Sequence, residues 1–195
     1  MNSDHLFRQL EALDPAAFCD ADKTIRVMSP RIARINPGKK LIGRARTVRC
    51  FDDFLTIIEA LDQANAGEVL VIDTQGTTRA VVGELFSLEA HRRELAGIVI
   101  DGGCRDTETL ATLDMPVYAS HRTPVSGTVQ RLYETQVPII CGAVAVNPGD
   151  IVYGDSDGIV VMSEPQTYEL LNKAQEIKQT EQQAIAAMAA GRSLI

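Results

Sequence analysis

Apolar residues first recur at helical spacing near the start of the chain. Leu6, Leu10 and Leu13 fall on one side of a short helix over residues 4–13, with Ser3 or Asp4 as its cap. Residues 14–38 show no clear period and carry Pro15, Pro30 and Pro37, so they read as irregular. Leu41 to Cys50 alternates toward a strand and is rich in arginine, at Arg44, Arg46 and Arg49. Asp52 to Ala64 has helical spacing and closes on the stop signal Asn65-Ala66-Gly67. Val69 to Asp73 is apolar at consecutive positions, the mark of a strand covered on both faces.

A polar, glycine-containing loop from Thr74 to Thr78 and a short apolar segment, Ala80 to Val82, come next. Gly83 opens a helix from about Glu84 to Leu95, and Ile98 to Asp101 is a second buried strand. Gly102 and Gly103 are expected to turn the chain into a helix from about Asp106 to Leu113, before a third strand at Pro116 to Ala119. This β-α-β-α-β rhythm predicts a parallel sheet with crossover helices. After residue 135 the pattern turns antiparallel. Val137 to Val146 is mostly strand, Asn147 to Asp150 is a tight turn, and Ile151–Tyr153 and Ile159–Met162 are joined through Asp155-Ser156-Asp157-Gly158. Residues 164–191 form a terminal helix ended by Gly191. Its small apolar end, Ala184 to Ala190, suits either a neighbouring subunit or the helix's own domain. With no repeat and no linker, residues 1–195 read as one domain.

Composition narrows the function. Of 195 residues, 45% are hydrophobic and 23% charged, which are globular values. Lys and Arg total 19 against 26 Asp and Glu, a net charge of −7 that argues against a nucleic-acid backbone as partner. No signal peptide is expected at Met1-Asn2-Ser3-Asp4-His5, and no apolar run approaches the roughly 18–20 residues of a membrane helix. Cys19, Cys50, Cys104 and Cys141 form no CxxC pair and are read as reduced thiols in a cytoplasmic protein. His5, His91 and His121 have no metal-ligand spacing.

Two places could hold chemistry, both where a strand gives way to a helix. At Gly83-Glu84-Leu85-Phe86, the N–H groups of Leu85 and Phe86 would face a small carboxylate, or Gly83 could simply make a turn. At Asp101-Gly102-Gly103-Cys104-Arg105-Asp106, an Arg–Asp pair opens the next helix. Asp106 is a cap or a hard oxygen ligand for Mg²⁺, and Arg105 a surface cation or a planar fork for an oxyanion. Glu84 could hold a metal-bound water. Neither GxGxxG, nor a P-loop, nor Gly-x-Ser-x-Gly is present. His121 reads as a loop residue, with a phospho-carrier role as the sharper alternative. Asp150, Asp155 and Asp157 read as hairpin turns before calcium ligands.

These residues together resemble the RraA-like proteins and class II 4-hydroxy-4-methyl-2-oxoglutarate aldolases. The matching stretches are Gly43–Val48, Val69–Asp73, Gly83-Glu84-Leu85, Gly97–Gly102 with Arg105-Asp106, and Val146–Asp150 followed by Asp155–Val161. The resemblance implies a three-layer β/β/α sandwich of the swivelling-domain type, assembled as a homotrimer or homohexamer. It implies metal-dependent cleavage of 4-hydroxy-2-oxo acids to pyruvate through an enolate, with oxaloacetate decarboxylation beside it. Asp106 would bind Mg²⁺ or Mn²⁺, Arg105 would stabilise the enolate, and Gly83 with the amides of Leu85 and Phe86 would hold the pyruvate carboxylate. Glu84 stands where active members commonly carry Asp. Glu181, or alternatively Glu176, matches a glutamate given by a neighbour's C-terminal helix. Gln130 stands where a lysine is expected, with Arg131 beside it. The resemblance also covers members that inhibit RNA-degrading enzymes by binding them, some of which lack the acid after the arginine.

The chemistry agrees with the aldolase reading. None of the five lysines, Lys23, Lys39, Lys40, Lys173 and Lys178, sits on a clear buried strand, so a Schiff-base mechanism is not supported. A chelated metal and an adjacent arginine would carry the charge of the enolate instead. Arg44, Arg122 and Arg131 are open candidates for a distal substrate carboxylate.

Overall fold

The computed structural model describes residues 3–193, and the side chains of Ser3 and Asp4, the expected first cap, lie outside the described residues. The chain opens with α1 (Ser3–Glu11) and α2 (Pro15–Ala21), then the short strands β1 (Arg26–Val27) and β2 (Ala33–Arg34). Next come β3 (Leu41–Arg49), α3 (Leu55–Asp62), β4 (Glu68–Asp73), β5 (Ala80–Val82), α4 (Glu84–Arg92), β6 (Gly97–Cys104), α5 (Thr107–Leu110) and β7 (Val117–Arg122). The last part holds β8 (Glu134–Thr135), β9 (Ile139–Cys141), β10 (Val144–Val146), β11 (Ile151–Gly154), β12 (Ile159–Met162) and the long helix α6 (Glu164–Ala189).

One mixed sheet runs β1-β12-β11-β3-β4-β6-β7-β2. β3, β4, β6 and β7 are parallel, and β11 and β12 join them antiparallel. Side-chain alternation explains how the sheet is covered. Val69, Val71, Val99, Val152, Ile159 and Val161 point to a shared inner core, closed by the β9–β10 hairpin. Leu70, Ile72, Ile98 and Ile100 point outward under α3, α4 and α5. Ile151, Tyr153, Val160 and Met162 point outward under α1, α2 and α6. The result is a hairpin layer, a curled sheet and a helical layer, the α/β sandwich expected. Each of these side chains is fully or almost fully buried, which stabilises the fold by about 1.5–3 kcal/mol apiece.

Four local readings need correction. Residues 14–38 are not all irregular, because Asp14 caps α2 through a 2.9 Å bond from the Ala17 N–H and Pro15 starts the helix. Gly102 and Gly103 do not turn the chain: β6 runs on through Cys104. They are glycines because the sheet is crowded there. A Cβ on Gly102 would lie 2.5 Å from Thr74, and one on Gly103 would lie 2.8 Å from the Arg79 carbonyl. The helix expected over 106–113 is the single turn α5. His121 is a strand residue of β7 and not a loop residue, its Nε2 3.3 Å from the Thr78 carbonyl.

Buried polar groups hold the remaining connections. Asn36 donates to the carbonyls of Leu113 and Met115 at 2.7 and 2.8 Å and accepts from the Val117 N–H, fixing the entry to β7. Asp150, read as a turn residue, is buried and pairs with Arg26 at 2.8 Å, while Asp155 caps its own turn through the Asp157 N–H.

Candidate active site

β5 ends at Val82 beside the end of β6, and the Arg105 N–H donates to the Val82 carbonyl at 3.0 Å. That bond brings the two expected places together. The turn expected at the glycines falls instead at Asp106, whose backbone is left-handed with φ of 55°. This sends the Asp106 carboxylate away from its own helix: it makes no cap bond to α5. Its Oδ2 accepts from the Glu84 N–H of α4 at 3.0 Å and lies 3.5 Å from Arg105 Nε. The aspartate read as a cap is therefore a cap, but of the neighbouring helix.

Gly83 is needed for this approach. Its backbone is extended, which any residue adopts, but a Cβ there would sit 2.5 Å from Asp106 Oδ2 and 2.9 Å from Arg105 Cγ. Asp106 satisfies the first amide of α4, and helix geometry leaves those of Leu85 and Phe86 without intrahelical partners. These amides, with the helix dipole behind them, form an anion-accepting corner. Phe86 is anchored edge-to-face on Phe54 with ring centroids 5.4 Å apart. A 270 Å³ cleft joins Gly83, Glu84, Leu85, Phe86, Arg105 and Asp106, and Ser126 also lines it.

Asp106 has the donor chemistry for a divalent cation. It is a hard oxygen ligand, half-exposed, and both its contacts fall on Oδ2. Among the described residues no group of three His, Cys, Asp or Glu side chains could enclose a metal, so an ion at Asp106 would draw its other ligands from water and substrate. This arrangement fits Mg²⁺, which keeps several waters and takes one or two carboxylates. Glu84 is exposed at the cleft edge. Burial pushes the Cys104 thiol up to about 11, against the opposing charge of Arg122, so it stays protonated and is no nucleophile.

The structure does not bring every expected residue to this cleft. Glu181 lies on α6, 3.2 Å from Lys178, which also pairs with Asp14, and Glu176 lies on the same helix. α6 packs over β11 and β12 and not over α4, so within one chain neither glutamate meets Arg105. Gln130 and Arg131 contribute their N–H groups, at 2.7 and 3.3 Å, to the buried carboxylate of Asp53. Asp53 also accepts from Thr128 Oγ1 and the Leu55 N–H, and so fastens the 128–131 segment to the start of α3. Burial alone would raise its pKa, but these bonds outweigh it and hold the carboxyl below the usual range. Sequence reasoning missed Asp53. Its signal was its place two residues before Leu55, where α3 begins. The lysines are all engaged elsewhere: Lys23 with Asp20, Lys39 with Asp114, Lys40 with the Leu13 carbonyl, Lys173 with the Ala21 carbonyl and Lys178 with Asp14.

Fold and cleft define an α/β protein with a helix N-terminus, a carboxylate and a guanidinium at the ends of two parallel strands. The family described as RraA-like, Aldolase/RraA, matches residues 15–161, and the chain belongs to it. A protein of Halalkalibacterium halodurans named "Putative 4-hydroxy-4-methyl-2-oxoglutarate aldolase" is 32% identical over 178 residues, covering 90% of this chain and 84% of that one. An uncharacterized protein from Pseudomonas syringae superposes with a TM-score of 0.88 at 28% identity, over 99% of this chain and 92% of that one. The RNA-processing inhibitor RraA from Thermus thermophilis superposes with a TM-score of 0.72 at 28% identity, over 76% of this chain and 92% of that one. Among the described residues no helix is long and apolar enough to cross a membrane.

Proposed function

We propose that this protein is a divalent-metal-dependent lyase. It cleaves 4-hydroxy-2-oxo acids of the 4-hydroxy-4-methyl-2-oxoglutarate type to pyruvate and a second oxo acid, and decarboxylates oxaloacetate as a side activity. The observation that carries this reading is the meeting of Arg105 and Asp106 with the free amides of α4 in one cleft. The amides of Leu85 and Phe86 bind the substrate's C1 carboxylate. Asp106 would hold a bound Mg²⁺ or Mn²⁺, and such an ion would supply Lewis-acid stabilisation of charge at the 2-oxo group. A base takes the proton of the C4 hydroxyl, the C3–C4 bond breaks, and its electron pair passes to C3 and the 2-oxo oxygen as an enolate. Arg105 donates to that oxygen, a contribution typically worth about 3–4 kcal/mol. Glu84 orders a water that shuttles the proton, and Glu181 of a neighbouring subunit completes the site in a homotrimer or homohexamer. Protonation of C3 then releases pyruvate.

The test is pyruvate release from 4-hydroxy-4-methyl-2-oxoglutarate and from oxaloacetate, with Mg²⁺ and with EDTA, in wild type, Arg105→Ala and Asp106→Ala. Metal-dependent release that both variants lose supports the lyase. No release above the metal-only background rejects it.

A second reading, a regulator that binds a ribonuclease or another protein, draws on one observation. Leu55, Ile58, Leu85 and Leu132 line an apolar groove that runs on from the cleft, and Leu85 is 77% exposed. A stoichiometric protein partner together with no turnover would favour it.

A further inference from the structure

We propose that Arg122 is the specificity residue of this site and receives the distal carboxylate of a dicarboxylic 2-oxo acid. The inference rests on the lyase reading for which end of the substrate meets α4, and adds where the other end goes.

Arg105 and Asp106 are the shared wall of two clefts. On one side lie the α4 amides. On the other, a 360 Å³ cleft is lined by Cys104, Thr107, Arg122, Thr123 and Pro124. A ligand whose first carboxylate sits at Leu85 and Phe86, and whose reacting carbons lie against Arg105, extends into this second cleft. The sheet puts Arg122 there. β6 and β7 pair Cys104 with Arg122, and the Thr123 N–H donates to the Cys104 carbonyl at 3.0 Å, one residue before Arg105.

Arg122 is also uncommitted. It is exposed, and among the described residues no carboxylate pairs with it. The other two candidates line neither cleft. Arg44 pairs with Glu164 at 2.8 Å, and Arg131 lies over the Tyr133 ring at 4.9 Å. The second cleft thus holds two guanidinium groups, Arg105 and Arg122, against one carboxylate, Asp106. That balance suits an anion, and the planar fork of arginine suits a carboxylate. The hydroxyls of Thr107 and Thr123 supply neutral donors beside it.

The experiment is calorimetric titration of 2-oxoglutarate and of 2-oxobutanoate, with Mg²⁺ present, into wild type, Arg122→Met and Arg122→Lys. 2-Oxoglutarate has both carboxylates but lacks the C4 hydroxyl, so retro-aldol cleavage cannot consume it. 2-Oxobutanoate lacks the distal carboxylate. The wild type is expected to prefer the dicarboxylate at least tenfold, or about 1.4 kcal/mol. Arg122→Met should erase that preference, and Arg122→Lys, which keeps the charge but not the fork, should restore part of it. A wild type without the preference, or an Arg122→Met that keeps it, overturns the proposal. The readout is binding, so the two readings fail separately. Absence of pyruvate release with an Arg122-dependent preference removes the lyase and keeps the dicarboxylate site. Release with a preference indifferent to Arg122 does the reverse.

Discussion

Replacing Gly83 with alanine separates the site from the fold. The added methyl would stand 2.5 Å from Asp106 Oδ2, 2.9 Å from Arg105 Cγ and 3.2 Å from Arg105 Nε. All three are side-chain atoms of residues about 40% exposed, so they can swing toward solvent by about an ångström while the backbone stays in place. The extended backbone of Gly83 adds no strain to an alanine. Overpacking typically costs about 1–3 kcal/mol in a core, and movable neighbours put this site at the low end. The lower chain entropy of alanine offsets about 0.4–1 kcal/mol of it. For a chain of this size a residual 1 kcal/mol lowers Tm by about 2–4 °C. Activity has no such relief, since a displacement of about 1 Å at a reacting centre costs about 100-fold, or roughly 2.7 kcal/mol. The expected result is a loss of about two orders of magnitude in kcat/KM for pyruvate release, with Tm lowered by no more than about 4 °C. Gly102→Ala is the contrast, because its methyl would strike Thr74, which is fully buried and bonded to the Asp101 carbonyl at 2.6 Å. It should lose stability first. Full activity in Gly83→Ala, or equal loss of Tm in both variants, would refute the reasoning.

The remaining outcomes concern Asp53 and Glu181. Asp53→Ala removes a buried acceptor of four hydrogen bonds and should cost about 2–4 kcal/mol, with protease cleavage appearing in the 128–131 segment. Because the folded pKa of Asp53 lies below its unfolded value of about 3.9, its stabilisation is fully present above that pH and fades as pH falls through the folded pKa. Urea unfolding at pH 7 and pH 3 should therefore show a smaller acid loss in Asp53→Asn than in wild type, and an equal loss would count against it. Glu181→Gln should lower kcat while leaving Tm within about 2 °C, since its partner Lys178 keeps Asp14. Mixing the impaired Glu181→Gln with inactive Arg105→Ala should give more activity than the two measured apart if neighbours share sites, and no gain would place Glu181 outside them.

The parallel half was readable because its strands are apolar on consecutive positions, as Val69–Ile72 and Ile98–Ile100 are, and strands buried on both faces have little other choice. The Arg105–Asp106 pair stood out as two adjacent charges opening the helix expected after the glycines, and the structure sets them directly after β6 instead. What escaped was non-local. Gly102 and Gly103 carry the usual signature of a turn, and only their closeness to Thr74 and Arg79 shows that they make room in a sheet. Asp106 looks like a cap of the helix that follows it, and its left-handed backbone, invisible in the residue name, gives it to α4. Asp53 draws three of its bonds from a segment about 75 residues away, which no local window covers. α2 is a different failure: Asp14-Pro15 is a local start signal, outweighed by the prolines further along.

The helical layer over β11 and β12 is assembled from opposite ends of the chain. Lys173 donates to the Ala21 carbonyl at 2.5 Å, 152 residues away, and Lys178 binds Asp14 across 164. During synthesis α1 and α2 leave the ribosome long before the strands and the helix that cover Phe18 and Leu10 exist. The parallel half, whose contacts span shorter stretches of chain, is free to form first. Until α6 emerges, the apolar faces of the two early helices lack the cover it gives them in the folded chain. A circular permutant that tethered α6 directly to α1 would remove that interval.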